Sequence, residues 1–369
     1  MSKDLNLNIS DSPEEELVSI ESTSFPPAER KVVTQSYDLS IQTLMEQWTS
    51  NLLLIPEIQR EYIWDDGRAS RLVESLLLNI PVPVLYFAET EKATYEIIDG
   101  QQRVRSIVRF ISNEFALASV NVLSDYHGMR FHQLPEREQR FLKMRMMRAV
   151  IISNESHPSM KFEIFERLNS GSMSLNPQEL RNSIYRGSFN QMLRKLAKDQ
   201  TFRLLIGTKH PRPRMLDEEL ILRFFALATN YSNYRPPLKR FLNNFMSSVR
   251  HNNAAKIAIS EQLFQITIDR VKNILGSSAF RLIDAQGNPQ ERTINRSLFD
   301  AHMLIFSWLD DEPLVDRSLL LRNLADLYNQ PAFSDLIGRS TGDRSRTRMR
   351  VRQLVSAISA SGLSNKRWR

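Results

Sequence analysis

Two hydrophobic rhythms divide this chain, and the point where one gives way to the other limits the folds open to it. Before about residue 155, short apolar runs are bounded by proline or glycine. Leu52-Leu53-Leu54-Ile55 stops at Pro56, Val84-Leu85-Tyr86-Phe87 follows Pro81-Val82-Pro83, and Tyr95-Glu96-Ile97-Ile98 stops at Asp99-Gly100. Runs of this length with such ends read as buried strands, and residues 144–152 read as one more. Between them, Ala69, Leu72, Val73, Leu76 and Leu77 share one helical face, which predicts a helix over 68–79 capped by Asp65 or Asp66. A weaker helical face, Leu39 to Trp48, comes before the first strand. From Pro158 onward the spacing is helical almost throughout, and Asn176-Pro177-Gln178-Glu179 has the residues of a capping box. The pattern predicts an α+β domain over 34–155, a helical domain over 156–360, a disordered acidic segment over 1–33 and a basic tail over 361–369.

Composition narrows the chemistry. With 41% hydrophobic and 25% charged residues the chain can bury a sizeable core. It has no cysteine, which excludes disulfides, thiolate zinc sites and a cysteine nucleophile. No Walker A loop, H-E-x-x-H pair or G-x-S-x-G elbow is present, and the six histidines show no metal-ligand spacing. No apolar run is long enough to span a bilayer and the first residues are polar and acidic, so a cytoplasmic protein is expected. Charge is uneven. Residues 1–30 carry seven acidic and two basic side chains, whereas residues 339–369 carry nine basic against one acidic. Arg344, Arg346, Arg348, Arg350 and Arg352 are therefore candidate DNA-binding residues, with a solvated helix face as the plain alternative.

Three segments can carry chemistry. In Asp99-Gly100-Gln101-Gln102-Arg103 a strand passes through glycine into a helix marked by Val104, Ile107, Val108 and Ile111. A helix N-terminus offers unpaired N–H groups and a positive dipole end to phosphate. Arg103 can pair with phosphate oxygens, the two glutamines can read a base or ribose, and Asp99 can hold a metal ion or orient water. The second segment is Pro56-Glu57-Ile58-Gln59-Arg60 with Tyr62 and Trp64, an arginine beside aromatics. The third is Phe165-Glu166-Arg167-Leu168-Asn169, ahead of Ser170-Gly171-Ser172. Each also suits an ordinary capped turn or loop.

In this order, and with Glu74-Ser75 and Pro81-Val82-Pro83 between them, the segments resemble the N-terminal domain family of GmrSD-type restriction systems, within the ParB/sulfiredoxin-like superfamily. Residues 294–301, from Ile294 to Ala301, look like stand-alone members of that family. The resemblance implies a ParB-like nucleotide-binding domain in which Gln59, Arg60, Asp99, Gly100, Gln101, Gln102, Arg103, Arg167 and Asn169 form a nucleoside triphosphate pocket. Asp99, Gln102 and Arg103 would be catalytic, and Asp99 would be the ligand of a Mg2+ ion. It also implies DNA-directed defence beside a partner nuclease or methylase. Two departures stand out: no His-Asn-His spacing lies near Arg369, so no HNH-type nuclease is expected, and serine rather than glycine follows Asn169. Three functions follow in order: an NTP-hydrolysing defence component, a nucleotide-switched DNA-binding module, and a ParB-like nuclease.

Overall fold

The computed structural model describes residues 25–55, 62–168, 175–309, 316–338 and 342–363. The chain divides into two compact units, one of Phe25–Ile184 and one holding the residues from Tyr185 onward. The first is α+β and the second is helical, as the two rhythms predict.

The sheet unit runs β1 (Thr34–Ser40), α1 (Ile41–Thr49), β2 (Leu53–Leu54), α2 (Asp66–Leu77), β3 (Leu85–Glu89), β4 (Tyr95–Asp99), α3 (Gln101–Ile111), α4 (Glu136–Met144), β5 (Met146–Ile152), α5 (Pro158–Leu168) and α6 (Pro177–Ile184). The strand order is β1-β5-β3-β4-β2. β5 is antiparallel to β1 and parallel to β3, while β4 is antiparallel to β3 and parallel to β2. Leu85, Phe87, Ile97, Met147, Ala149 and Ile151 of the strands pack with Ile41, Leu44, Leu72, Val73, Leu76, Val104 and Ile107 of the helices in one core. Burying each of the larger of these side chains contributes about 1.5–3 kcal/mol. Helix ends follow the sequence signals. Asp65 Oδ1 accepts from Arg68 N at 2.6 Å, and Asn176 and Glu179 complete a reciprocal capping box at 2.8 and 2.7 Å.

Two features depart from the sequence reading. The segment expected to enter a helix from Leu39 is strand as far as Ser40, whose hydroxyl then caps α1 by accepting from Thr43 N at 3.0 Å. β1 exists because β5 pairs with it along its whole length, reinforced by the two-pronged Arg148–Asp38 bond at 2.9 Å on each arm. The unit also closes at Ile184 rather than near residue 155, because α5 packs on β4 and α6 on α5.

The helical unit comprises α7 (Ser188–Leu196), α8 (Gln200–Ile206), α9 (Leu216–Asn230), α10 (Leu238–Val249), α11 (Ala254–Leu275), α12 (Arg296–Ser307), α13 (Arg317–Tyr328), α14 (Pro331–Gly338) and α15 (Arg344–Ser359). α12 is its axis: it packs on α9, α11, α14 and α15, and every residue from Ser297 to Phe306 is buried. A helix enclosed on all sides must satisfy its polar groups internally. Asp300 accepts two-pronged bonds from the buried Arg223 of α9, at 2.6 and 3.1 Å. His302 Nδ1 accepts from Phe280 N at 3.2 Å, which leaves the proton on Nε2, 2.9 Å from the Tyr328 hydroxyl. Nearby, Asp217 accepts from Arg203 at 2.5 Å and from Arg212 at 2.6 Å. Among the described residues, no helix is long and apolar enough to cross a membrane.

Burial pushes His302 down from 6.5 to about 3. Below pH 6.5 the unfolded chain therefore binds a proton that the folded chain refuses, so stability present above that pH is lost as pH falls toward 3. The loss approaches about 1.4 kcal/mol per pH unit inside this window. Urea melts at pH 7 and pH 5 should show the wild type losing more stability between the two than His302→Gln; equal losses would refute the assignment.

Candidate functional site

The site end of the sheet unit is built where β4 becomes α3. Gly100 stands between them with φ of 96°, a left-handed conformation. A Cβ there would lie 2.3 Å from Leu85 Cδ2, whose residue is fully buried, so conformation and space both demand glycine. Gly100 has no side chain to cap the helix, and its carbonyl accepts from Val104 N at 2.9 Å. The first turn of α3 therefore presents backbone N–H groups at the positive end of the helix with no capping side chain among the described residues.

Each residue of the motif has a distinct place. Asp99 is half-exposed, with 43% of its side chain open to solvent. Gln101 is buried, and among the described residues its Nε2 has no acceptor. Gln102 Oε1 accepts from Ile63 N at 3.0 Å and Trp64 N at 3.3 Å, clamping that loop onto α3. Arg103, expected to offer its guanidinium to phosphate, turns inward instead. It donates to Asp99 Oδ2 at 2.7 Å, to Val84 O at 3.3 Å and to Pro83 O. Burial lowers its pKa, and the charge of Asp99 works against that shift. The reason is geometric: its side chain lies between the start of β3 and the end of β4, where two carbonyls and a carboxylate converge.

Of the other expected pocket residues, Arg167 lies on the last turn of α5, 82% exposed and 3.8 Å from Glu163. Helix α5 packs on β4, the strand that ends in Asp99. Gln59, Arg60 and Asn169 lie outside the described residues. Glu74 is structural: buried, it accepts from Val122 N at 2.7 Å and Leu123 N at 2.9 Å. Among the described residues, no group of three histidine, aspartate or glutamate side chains is arranged to hold a metal ion.

Sequence reasoning passed over the arginines that face Tyr62. Arg105 and Arg109 lie 5.4 and 4.6 Å from its ring centroid, its hydroxyl is 2.9 Å from Ser106 Oγ, and Arg109 reaches Asp66 at 3.1 Å. Arg68 covers Trp64 at 5.0 Å. The available signal was the i, i+4 spacing of Arg105 and Arg109 on α3.

The five arginines of α15 do not act together. Arg350 is 1% exposed and donates to Leu336 O at 3.0 Å, so it is a core residue and not a surface contact for DNA. With five arginines packed into nine residues of helix, one face had to turn toward α12 and α14. Arg346 is held by Asp335, at 2.8 Å from its carboxylate and 2.5 Å from its carbonyl. Arg344 and Arg348 both donate to Ser232 O, at 3.4 and 3.1 Å, and Arg352 is exposed. The segment 294–301 that resembles stand-alone relatives is also architectural: Asn295 caps α12 at 3.0 Å and Asp300 holds Arg223.

A mixed sheet whose β4-to-α3 junction is built around glycine makes the first unit an α+β domain. Residues 41–186 match the family described as GmrSD restriction endonuclease, N-terminal domain. That part of the chain is a domain of this family. No curated protein matches the chain.

Gly100→Ala should destabilise the protein by about 1–3 kcal/mol, because the new methyl meets Leu85 and the backbone loses its natural conformation. Chemical denaturation checks this, and an unchanged midpoint would show that the junction relaxes freely.

Proposed function

We propose that the chain is a nucleoside-triphosphate-binding and hydrolysing component of a DNA-directed, restriction-like defence system, its sheet unit a ParB/sulfiredoxin-like domain. The start of α3 carries this reading. There a left-handed glycine at the N-cap, first-turn N–H groups without a capping side chain among the described residues, and the buried Gln101 amide lacking an acceptor occur together. A phosphate group supplies the acceptors and the negative charge that such a terminus lacks. The match of residues 41–186 to a restriction endonuclease domain supports the defence role.

The roles divide by geometry. Asp99 is the one half-exposed carboxylate of the motif, and Arg103 engages its Oδ2. A Mg2+ ion carried on phosphates keeps several waters and takes one or two protein carboxylates, which suits this single aspartate. When bound, such an ion would supply charge neutralisation at the phosphates. Asp99 would hold the ion or orient the attacking water, Arg103 would fix Asp99, and Gln102 would keep the Tyr62–Trp64 loop against the ligand. Gln59, Arg60, Arg167 and Asn169 enter the pocket by motif resemblance. DNA and a partner nuclease or methylase complete the proposed system.

The test is a panel of ATP, GTP, CTP and UTP with Mg2+, followed by calorimetric binding and phosphate release on the full chain. Wild type should bind and turn over at least one nucleotide. Asp99→Asn should slow turnover by about 100-fold or more, and Gln101→Ala should weaken binding by up to about tenfold. A wild type that neither binds nor hydrolyses any of the four would sink the reading.

A further inference from the structure

We infer that Arg344, Arg348 and Arg352 form a phosphate-binding stripe on α15 that docks the backbone of duplex DNA. The three stand at i, i+4 and i+8, so they rise along the helix in steps of about 6 Å. Two of them are held in an arrangement that calls for an anion. The Nη2 atoms of Arg344 and Arg348 donate to the same carbonyl oxygen, that of Ser232, at 3.4 and 3.1 Å. Two like charges drawn onto one neutral acceptor repel each other. Among the described residues, neither they nor Arg352 pairs with a carboxylate, although neighbouring Arg346 is paired with Asp335. Among the described residues, Arg344 Nε is also buried without an acceptor. Next to Ser232, Tyr231 packs edge-on against Trp308 with ring centroids 5.6 Å apart, giving the acceptor carbonyl a firm seat.

The arrangement suits a repeated anion. A DNA strand presents its phosphates at a regular repeat, so a regular row of arginines can meet several of them. Guanidinium groups take phosphate oxygens in paired, charge-assisted bonds, and the exposed Arg352 and the N–H groups that exposed Arg348 does not spend on Ser232 are available for this. Two of the five arginines suggested by the sequence drop out, because Arg350 is internal and Arg346 is committed. The choice of DNA over other polyanions rests on the restriction-like reading above.

The test is fluorescence anisotropy of a labelled duplex against the full chain, titrated across roughly 50 to 200 mM salt. Each phosphate contact contributes about 0.9 to the log–log slope. The Arg348→Ala/Arg352→Ala double variant should therefore lose about two from the wild-type slope, or about tenfold of its salt sensitivity over that range. It should melt like wild type, and Arg140→Ala on α4 should leave the slope unchanged. The inference is overturned if the double variant keeps the wild-type slope, if Arg140→Ala lowers it equally, or if duplex RNA competes as well as DNA. A wild type that binds nucleotide but no duplex overturns this inference alone. Arginine-dependent duplex binding without nucleotide binding overturns the proposed NTPase and leaves the stripe standing.

Discussion

The guanidinium of Arg103 is the tie on which the site end of the sheet unit depends. It sits in the interior and reaches Asp99 at the end of β4 and the carbonyls of Pro83 and Val84 just ahead of β3. A buried cation is tolerable only while its partners stay in place, so this one group fixes three chain segments together. Gly100 lets the chain turn beneath it, and Gln102 fastens the 62–64 loop from above. The motif is thus largely scaffolding. Arg103 and Gln102 hold the turn in place, and Asp99 is the side chain of the motif most open to solvent.

The helical unit applies the same physics at a larger scale. Arg223 with Asp300, Arg203 and Arg212 with Asp217, and His302 with Tyr328 put polar pairs where an apolar core would also pack. Such pairs add little net stability over well-packed apolar residues, but losing one partner is costly. They tie α8 to α9, α9 to α12 and α12 to α13. Arginine therefore takes three roles in this protein: internal tie, paired surface group, and, on α15, a cation that no carboxylate among the described residues pairs with.

Much of this was legible in the sequence. Long periodic segments announced α2, α3, α9, α12 and α15, and the caps at Asp65 and Asn176 were readable from residue type and spacing. β1 was not, because Thr34 to Ser40 is polar and mostly exposed, and its hydrogen-bonded partner strand lies more than a hundred residues away. The short helices α8 and α14 give too few turns for a period to emerge. At the site, the sequence located the strand–glycine–helix junction correctly but misjudged Arg103. Charge and spacing cannot reveal that two carbonyls lie waiting on the inner side. The inward turn of Arg350 is the same failure: alternate arginines on a helix look alike until a neighbour covers one of them.

The pairing of β1 with β5 has a consequence for how this protein is made. Thr34 meets Ile152 and Ser40 meets Met146, so this edge strand is synthesised more than a hundred residues ahead of its partner. At ordinary translation speeds the ribosome needs on the order of ten seconds to supply the intervening chain. Throughout that interval the nascent edge strand carries unmatched amides and carbonyls. A chaperone that shields this strand until β5 emerges would therefore favour yield.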